Sequence, residues 1–171
     1  VGVASPRTVL LEHTIDTATE LANQMLALAK AEQLRQASPA DTAPVQDWGA
    51  VVRQVALDLS ALVGERLLDF SLDMPVHPVP VHAHEWALRE LTRNLLHNAV
   101  KHSAVGGRLG VQLARQAQQA TLRISDSGPG ISAVLRERLF QPFATDPHRP
   151  GATPGAAGSG LGLAICHGIA L

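Results

Sequence analysis

Asn94-Leu-Leu-His-Asn98-Ala-Val-Lys101-His102 lies near the end of a helical pattern that runs from about residue 84 to 103. Leu88, Leu91, Leu95 and Ala99 recur at helical spacing and are expected to form its buried stripe. Asn94, Asn98 and Lys101 stand at i, i+4 and i+7, so three polar side chains share one narrow sector beside that stripe. Two amides in the middle of a leucine-rich helix add little stability, because each must find hydrogen-bond partners. Two solvated amides on an exposed face are the plain alternative. The motifs that follow favour a ligand instead.

Downstream, Leu109, Val111 and Leu113 alternate, Arg115 to Gln119 are expected to turn, and Ala120, Leu122 and Ile124 alternate back as a hairpin. The second strand runs into Asp126-Ser-Gly128-Pro-Gly130. Alone this would be an ordinary turn. At a strand end, 28 residues past Asn98, it sets a carboxylate beside backbone that a flat ligand can approach closely. Phe140-Gln-Pro-Phe143 comes next; these phenylalanines could also be simple core anchors. Residues 144 to 160 hold three prolines, four glycines and no large apolar side chain, so they are expected to be mobile. Gly158-Ser-Gly160-Leu161-Gly162-Leu then opens a helix, whose first N–H groups and positive dipole end suit phosphate.

Upstream, Ser5-Pro6 is a helix start signal, and the helix is expected to reach about residue 36. Leu11, Ile15, Ala18, Ala22, Met25 and Ala29 form a heptad seam along it, with Glu12, Asp16 and Glu20 off the seam. Such a helix either packs on its own domain or joins a dimeric bundle. His13 reads as an ordinary helix-surface histidine. Residues 37 to 46 are small, polar and proline-broken, and read as a linker. Asp47 is expected to cap a second helix carrying Val51, Val52, Val55, Leu59 and Leu62. Leu68, Phe70 and Leu72 alternate as a half-buried strand, and Val79 to Val81 are expected to pair at an edge.

Composition sets modest limits. A chain of 171 residues accommodates one domain with a core and an appended element. A net charge of −1 with 3% aromatics leaves no electrostatic footprint for nucleic acid. No apolar run reaches the length of a membrane span, and no signal-peptide pattern opens the chain. The single Cys166 cannot form an internal disulfide and fits a reducing compartment.

The four motifs, in this order and at these separations, resemble the N, G1, F and G2 boxes of the sensor histidine kinase ATP-binding domain, of the GHKL superfamily. The resemblance covers roughly residues 84 to 171, and a weaker one reaches back to about residue 6. It implies an α+β fold, a two-layer sandwich of a mixed or antiparallel sheet and helices, preceded by a long helix. Residues 1–36 would then be the second helix of a dimerisation hairpin, 37–46 a linker, and 47–171 the ATP-binding catalytic domain. Family members continue into roughly two more strands past the position of Leu171, so the resemblance implies a C-terminally truncated domain.

The same resemblance implies ATP and Mg²⁺ as cofactors. The Asn98 position supplies an oxygen to the metal, Lys101 approaches the phosphates, and His102 lines the nucleotide site. Asp126 accepts a hydrogen bond from the adenine amino group beside Gly128 and Gly130. Phe143 belongs to the base of an ATP lid, and Gly158, Gly160, Leu161 and Gly162 form the phosphate loop. Catalytic places fall on Asn94, Asn98 and Lys101. In the gyrase-like and MutL-like relatives a glutamate general base occupies the place of Asn94. A neutral amide cannot take a proton from water, so the position favours phosphate transfer over hydrolysis.

The expected function is transfer of the γ-phosphate to a histidine on a dimerisation hairpin and then to a response regulator receiver domain, within a homodimer. The family's acceptor-histidine box has no match in this chain. The resemblance further implies a cytoplasmic domain of a protein anchored in the bacterial inner membrane through segments outside this sequence. A non-catalytic nucleotide-binding module and a gyrase/MutL-like ATP hydrolase are the competing readings.

Overall fold

Asp47 fixes the start of its helix twice over. Its carboxylate accepts the N–H of Gly49 at 3.0 Å, capping a helix, and the N–H of Val79 at 2.9 Å, tying that helix start to a distant strand. The computed structural model describes residues 6–36, 43–145 and 158–170. The first helix, α1 (Pro6–Gln36), precedes β1 (Val45–Asp47), α2 (Trp48–Asp58) and α3 (Ser60–Glu65). Then come β2 (Asp69–Asp73), β3 (Pro80–His82) and α4 (Glu85–His102). The hairpin β4 (Arg108–Gln116) and β5 (Gln119–Asp126), the short α5 (Ala133–Arg136) and α6 (Gly162–Ala170) complete the order.

The main sheet runs β2-β4-β5, and a separate antiparallel pair joins β1 to β3. Strand β2 lies parallel to β4, which a crossover through α4 permits, whereas β4 and β5 are antiparallel. The sheet is therefore mixed. Leu109, Val111 and Leu113 of β4 turn one face inward onto Val52 and Val55 of α2 and Leu96, Ala99 and Val100 of α4. The other face carries Ser71, Gly110 and Ser125 in register across three strands, polar and small as a helix-free face requires. The α+β two-layer sandwich preceded by a long helix is thus the observed architecture.

Several local expectations shift. Val45 and Gln46 are strand, paired with His82 and Val81, although the linker reading included them. Residues 37–42 lie outside the described residues. The helix after Asp47 breaks at Leu59 into α2 and α3. The buried stripe of α4 is Leu88, Thr92, Leu96 and Ala99 with Ala87 and Val100, while Leu91 and Leu95 are half-buried. The cause is that α4 is covered on two sides, by the sheet and by α6, so two apolar stripes compete in the sequence. The hairpin turn is shorter than expected: Gln116 pairs with Gln119, leaving a two-residue loop with Ala117 at φ 53°.

Among the described side chains, the buried ones of helix α1 lie in its C-terminal half. Ala27 contacts Leu161 and Ile165, with Leu28 and Ile169 beside them. Ala31 is fully buried, and the lack of a side chain at Gly168 lets α6 approach it. The seam residues Leu11, Ile15 and Met25 are more than half exposed, so packing on the domain uses a different face. His13 lies outside the residues whose side chains are described.

Thr92, on the core side of α4, is 1% exposed and its hydroxyl accepts the indole N–H of Trp48 at 3.0 Å. Trp48→Phe strips that partner from a buried group and is expected to lower stability by about 1–2 kcal/mol. Adding Thr92→Val should recover part of the loss, because both polar groups are then gone; chemical denaturation of the three variants measures this.

Candidate functional site: one helix touched by two glycine segments

Helix α4 is the frame of the site. Its inward stripe is fixed by the core, so Asn94, Asn98 and Lys101 fall on the side facing the start of α6. A methyl group at Gly162 would lie 2.9 Å from Asn94 Oδ1 and 3.6 Å from Asn98 Nδ2. Only a glycine lets the two helices meet there without displacing an amide. One turn on, a methyl at Gly158 would lie 3.1 Å from the Lys101 ammonium nitrogen. At the end of α4 a methyl at Gly128 would sit 2.5 Å from the His102 carbonyl oxygen and 2.6 Å from Asp126 Oδ1. The two glycine motifs, widely separated along the chain, therefore both close on the last turns of α4.

Each polar group has a definite state. Asn94 donates through Nδ2 to the Glu90 carbonyl at 2.9 Å and to Glu90 Oε2 at 3.3 Å, which turns its Oδ1 toward Gly162. Asn98 is half-buried and, among the described residues, has no hydrogen-bond partner. A half-buried amide without a protein partner is open to water or to a ligand. Asp126, exposed at the end of β5, accepts from the Gly128 N–H at 2.8 Å through Oδ1, which orients the carboxylate and leaves its other oxygen outward.

The start of α6 leaves backbone donors ahead of its ladder. The first bond of its ladder runs from the Ile165 N–H to the Leu161 carbonyl, so the N–H groups of Gly162, Leu163 and Ala164 lie ahead of it. Leu161 differs: its side chain is fully buried and its N–H is taken by Ser159 Oγ at 3.2 Å. It anchors the loop from within. Gly160 adopts φ +70°, and a methyl there would lie 2.7 Å from the Phe143 carbonyl carbon. Phe143 itself has φ +62°, a conformation costly for a bulky residue and found where surrounding structure enforces it.

The phenylalanine motif is not a core anchor: Phe140 and Phe143 are 50% and 60% exposed. Phe140 stacks on the His167 ring of α6 with centroids 4.8 Å apart. The segment expected to be a lid falls largely on residues 146–157, outside the described residues. Gly130, at φ +77°, has open space around it. An open depression of about 390 Å³ borders Asp126 together with Asp69, Ser71, Arg108 and Gly110. Asn98 and Gly162 do not line it. The groups are joined by contact along α4 instead.

Two titratable groups flank the site, the half-buried His97 and the buried Cys166. Burial holds His97 below the usual imidazole range; Glu20 of α1 opposes this, while Lys101 and Arg93 reinforce it. Burial, with Glu90 adding to it, pushes the Cys166 thiol up to about 12. The Cys166 Sγ faces the Leu91 carbonyl at 3.8 Å, so this cysteine is an inert packing group. Sequence reasoning missed Gln24, whose side chain reaches Ser159 from α1; no periodicity could have signalled a contact across 135 residues.

Residues 83–171 match the family described as histidine kinase-, DNA gyrase B- and HSP90-like ATPase. The chain belongs to that family, and the relatives and structures it resembles are sensor histidine kinases. It is 32% identical over 164 residues to the sensor protein QseC of Escherichia coli (strain K12), covering 94% of this chain and 33% of that one. The histidine kinase AdeS of Acinetobacter baumannii superposes with a TM-score of 0.71 at 25% identity, covering 98% of this chain and 75% of that structure. Full-length ShkA, solved in complex with AMPPNP, gives a TM-score of 0.73 at 24% identity, with coverages of 98% and 34%. The chain spans about a third of the length of the curated relatives it matches. No helix among the described residues is long and apolar enough to cross a membrane.

Because the folded state holds His97 below its ordinary value, the unfolded chain binds the extra proton first as pH falls. Stability is expected to be fully present above the ordinary imidazole value near 6.5 and to decline as pH drops below it. Denaturant titrations between neutral and mildly acidic pH should show this slope in the native chain and a shallower one in His97→Gln.

Proposed function

We propose that this chain is the ATP-binding catalytic part of a bacterial two-component sensor histidine kinase. The observation that carries this is the closure of Gly158 and Gly162 on the face of α4 that presents Asn98 and Lys101, with Gly128 against the end of the same helix at the His102 carbonyl. Asp126, oriented by the Gly128 N–H, would accept from the adenine amino group and so select the base. The other end of the nucleotide would meet the N–H groups at the start of α6 and the Lys101 ammonium. His102 and Gly130 would border the base and sugar, with Phe143 at the foot of the lid.

The residues present fit a magnesium ion. The Asn98 amide is open, offers a hard oxygen, and belongs to a site where phosphates and water complete the shell. Bound there, Mg²⁺ would neutralise charge on the transferring phosphoryl group. The protein's own part is to position: Lys101 and the loop amides would fix the phosphates.

Asn94 supports transfer over hydrolysis. Its amide is neutral and spends its donors on Glu90, so it offers no base to an attacking water. The γ-phosphate would pass to a histidine on a dimerisation hairpin and from there to an aspartate of a response regulator. The exposed seam of α1 supports its place as the second helix of that hairpin, within a homodimer. In the intact protein this would be a cytoplasmic domain tethered to the inner membrane by other segments.

A fluorescent ATP analogue in the presence of Mg²⁺ should bind the chain, and Asn98→Ala and Asp126→Asn should each weaken it at least about tenfold, the scale of a charge-assisted hydrogen bond or metal ligand. Label from γ-labelled ATP should appear on an added fragment carrying the family's histidine box and not on the chain alone. Unchanged affinity in both variants, or acid-labile label on the isolated chain, contradicts the reading.

A further inference from the structure

The glycine loop ahead of α6 is gripped from outside the family-matched region. Gln24 lies on α1, and the match begins at residue 83. The Ser159 hydroxyl donates to Gln24 Oε1, and the same Ser159 oxygen accepts the Leu161 N–H at 3.2 Å. Gln24 Nε2 donates to Glu20 Oε1 at 3.1 Å. The directions are fixed by chemistry. A carboxylate at Glu20 can only accept, which commits the Gln24 amide nitrogen to it and leaves the amide oxygen for Ser159. The hydroxyl, having given its proton to Gln24, turns a lone pair toward the loop backbone. A polarised chain therefore runs Glu20, Gln24, Ser159, Leu161 N–H.

Apolar contact holds this chain in place. Leu161 and Ile165 are fully buried against Ala27, one turn below Gln24, and Gly168 allows α6 to lie directly on Ala31. Both flanking glycines of the loop touch α4, Gly158 at Lys101 and Gly162 at the two asparagines. The loop backbone is thus pinned on one side by the nucleotide-site helix and on the other by α1.

We infer that Gln24 is a positioning residue for the phosphate-binding loop, acting through Ser159 from the long helix. This rests on the reading of the loop as the phosphate end of an ATP site. A glycine-rich backbone has many conformations to lose on binding, and an external hydrogen bond to its one hydroxyl removes some of them beforehand. Any shift of α1 along or away from α6 breaks the Gln24–Ser159 contact first, since it is a single directional bond beside sliding apolar surfaces. Helix position and nucleotide affinity are consequently coupled, and by linkage bound nucleotide holds α1 down.

The test is a double-mutant cycle on the 171-residue chain with a fluorescent ATP analogue and Mg²⁺. Gln24→Ala and Ser159→Ala should each weaken the analogue about fivefold, the scale of one hydrogen bond, and the double variant should be no weaker than either. Exchanging the pair (Glu20→Gln with Gln24→Glu) reverses the bond between 20 and 24 but leaves an acceptor at 24 for the Ser159 hydroxyl, and should keep affinity near that of the native chain. Amide hydrogen exchange without nucleotide should show the Leu161 N–H exchanging faster in Gln24→Ala, with the melting temperature and the exchange of α4 unchanged. Tight binding by the native chain and Gln24→Ala alike, or additive losses in the double variant, overturns the inference. Asp126→Asn is the control for the site: if the native chain does not bind, or Asp126→Asn binds equally, the ATP reading itself fails and this inference falls with it.

Discussion

Helix α4 must serve two masters on opposite sides, and the close approach of α6 to it is the constraint on which the site depends. The inward stripe of Leu88, Thr92, Leu96 and Ala99 is locked by the sheet, which leaves no rotational freedom to the face carrying Asn94, Asn98 and Lys101. That face is then met by backbone rather than side chains. Gly162 sits where a methyl group would collide with Asn94, and Gly128 where one would collide with the carbonyl of His102. Close backbone approach brings two loops distant in sequence onto the same helix.

Order in the site comes from packing outside it. The core under β4 fixes α4, Asp47 ties α2 to the β3 approach, and the Ala27–Leu161–Ile165 cluster seats α6 and α1 together. The backbone tension collects where the phenylalanine motif meets the last glycine motif, with Phe143 and Gly160 both left-handed and in contact. Conformations of that kind persist only where the surrounding structure holds them in place.

Much of this was legible from residues alone. The long first helix, the Asp47 cap, the α4 helix and the strand leading to Asp126 follow from local pattern and turn chemistry, whereas β1, the break into α3 and the short α5 carry too few residues to give a periodic signal. Leu91 and Leu95 were misplaced because a helix covered on two sides carries two overlapping apolar stripes, and spacing cannot say which one meets the sheet. The hairpin turn was overextended because Ala117 carries no glycine-like signal at its left-handed position. Gln24 was invisible because its partner lies 135 residues away, and a polar residue on an exposed-looking turn gives no hint of a long-range bond.

The central claim is that the Asn98 amide, the Asp126 turn and the start of α6 serve a single Mg·ATP. Titrating isotopically labelled chain with Mg·AMPPNP and following the backbone and side-chain amide resonances by NMR tests it directly. The account predicts that the Asn98 side-chain amide and the N–H groups of Gly128, Gly162 and Leu163 shift together, with one common Kd. Independent Kd values for these groups, or shifts confined to one of the three segments, would contradict it.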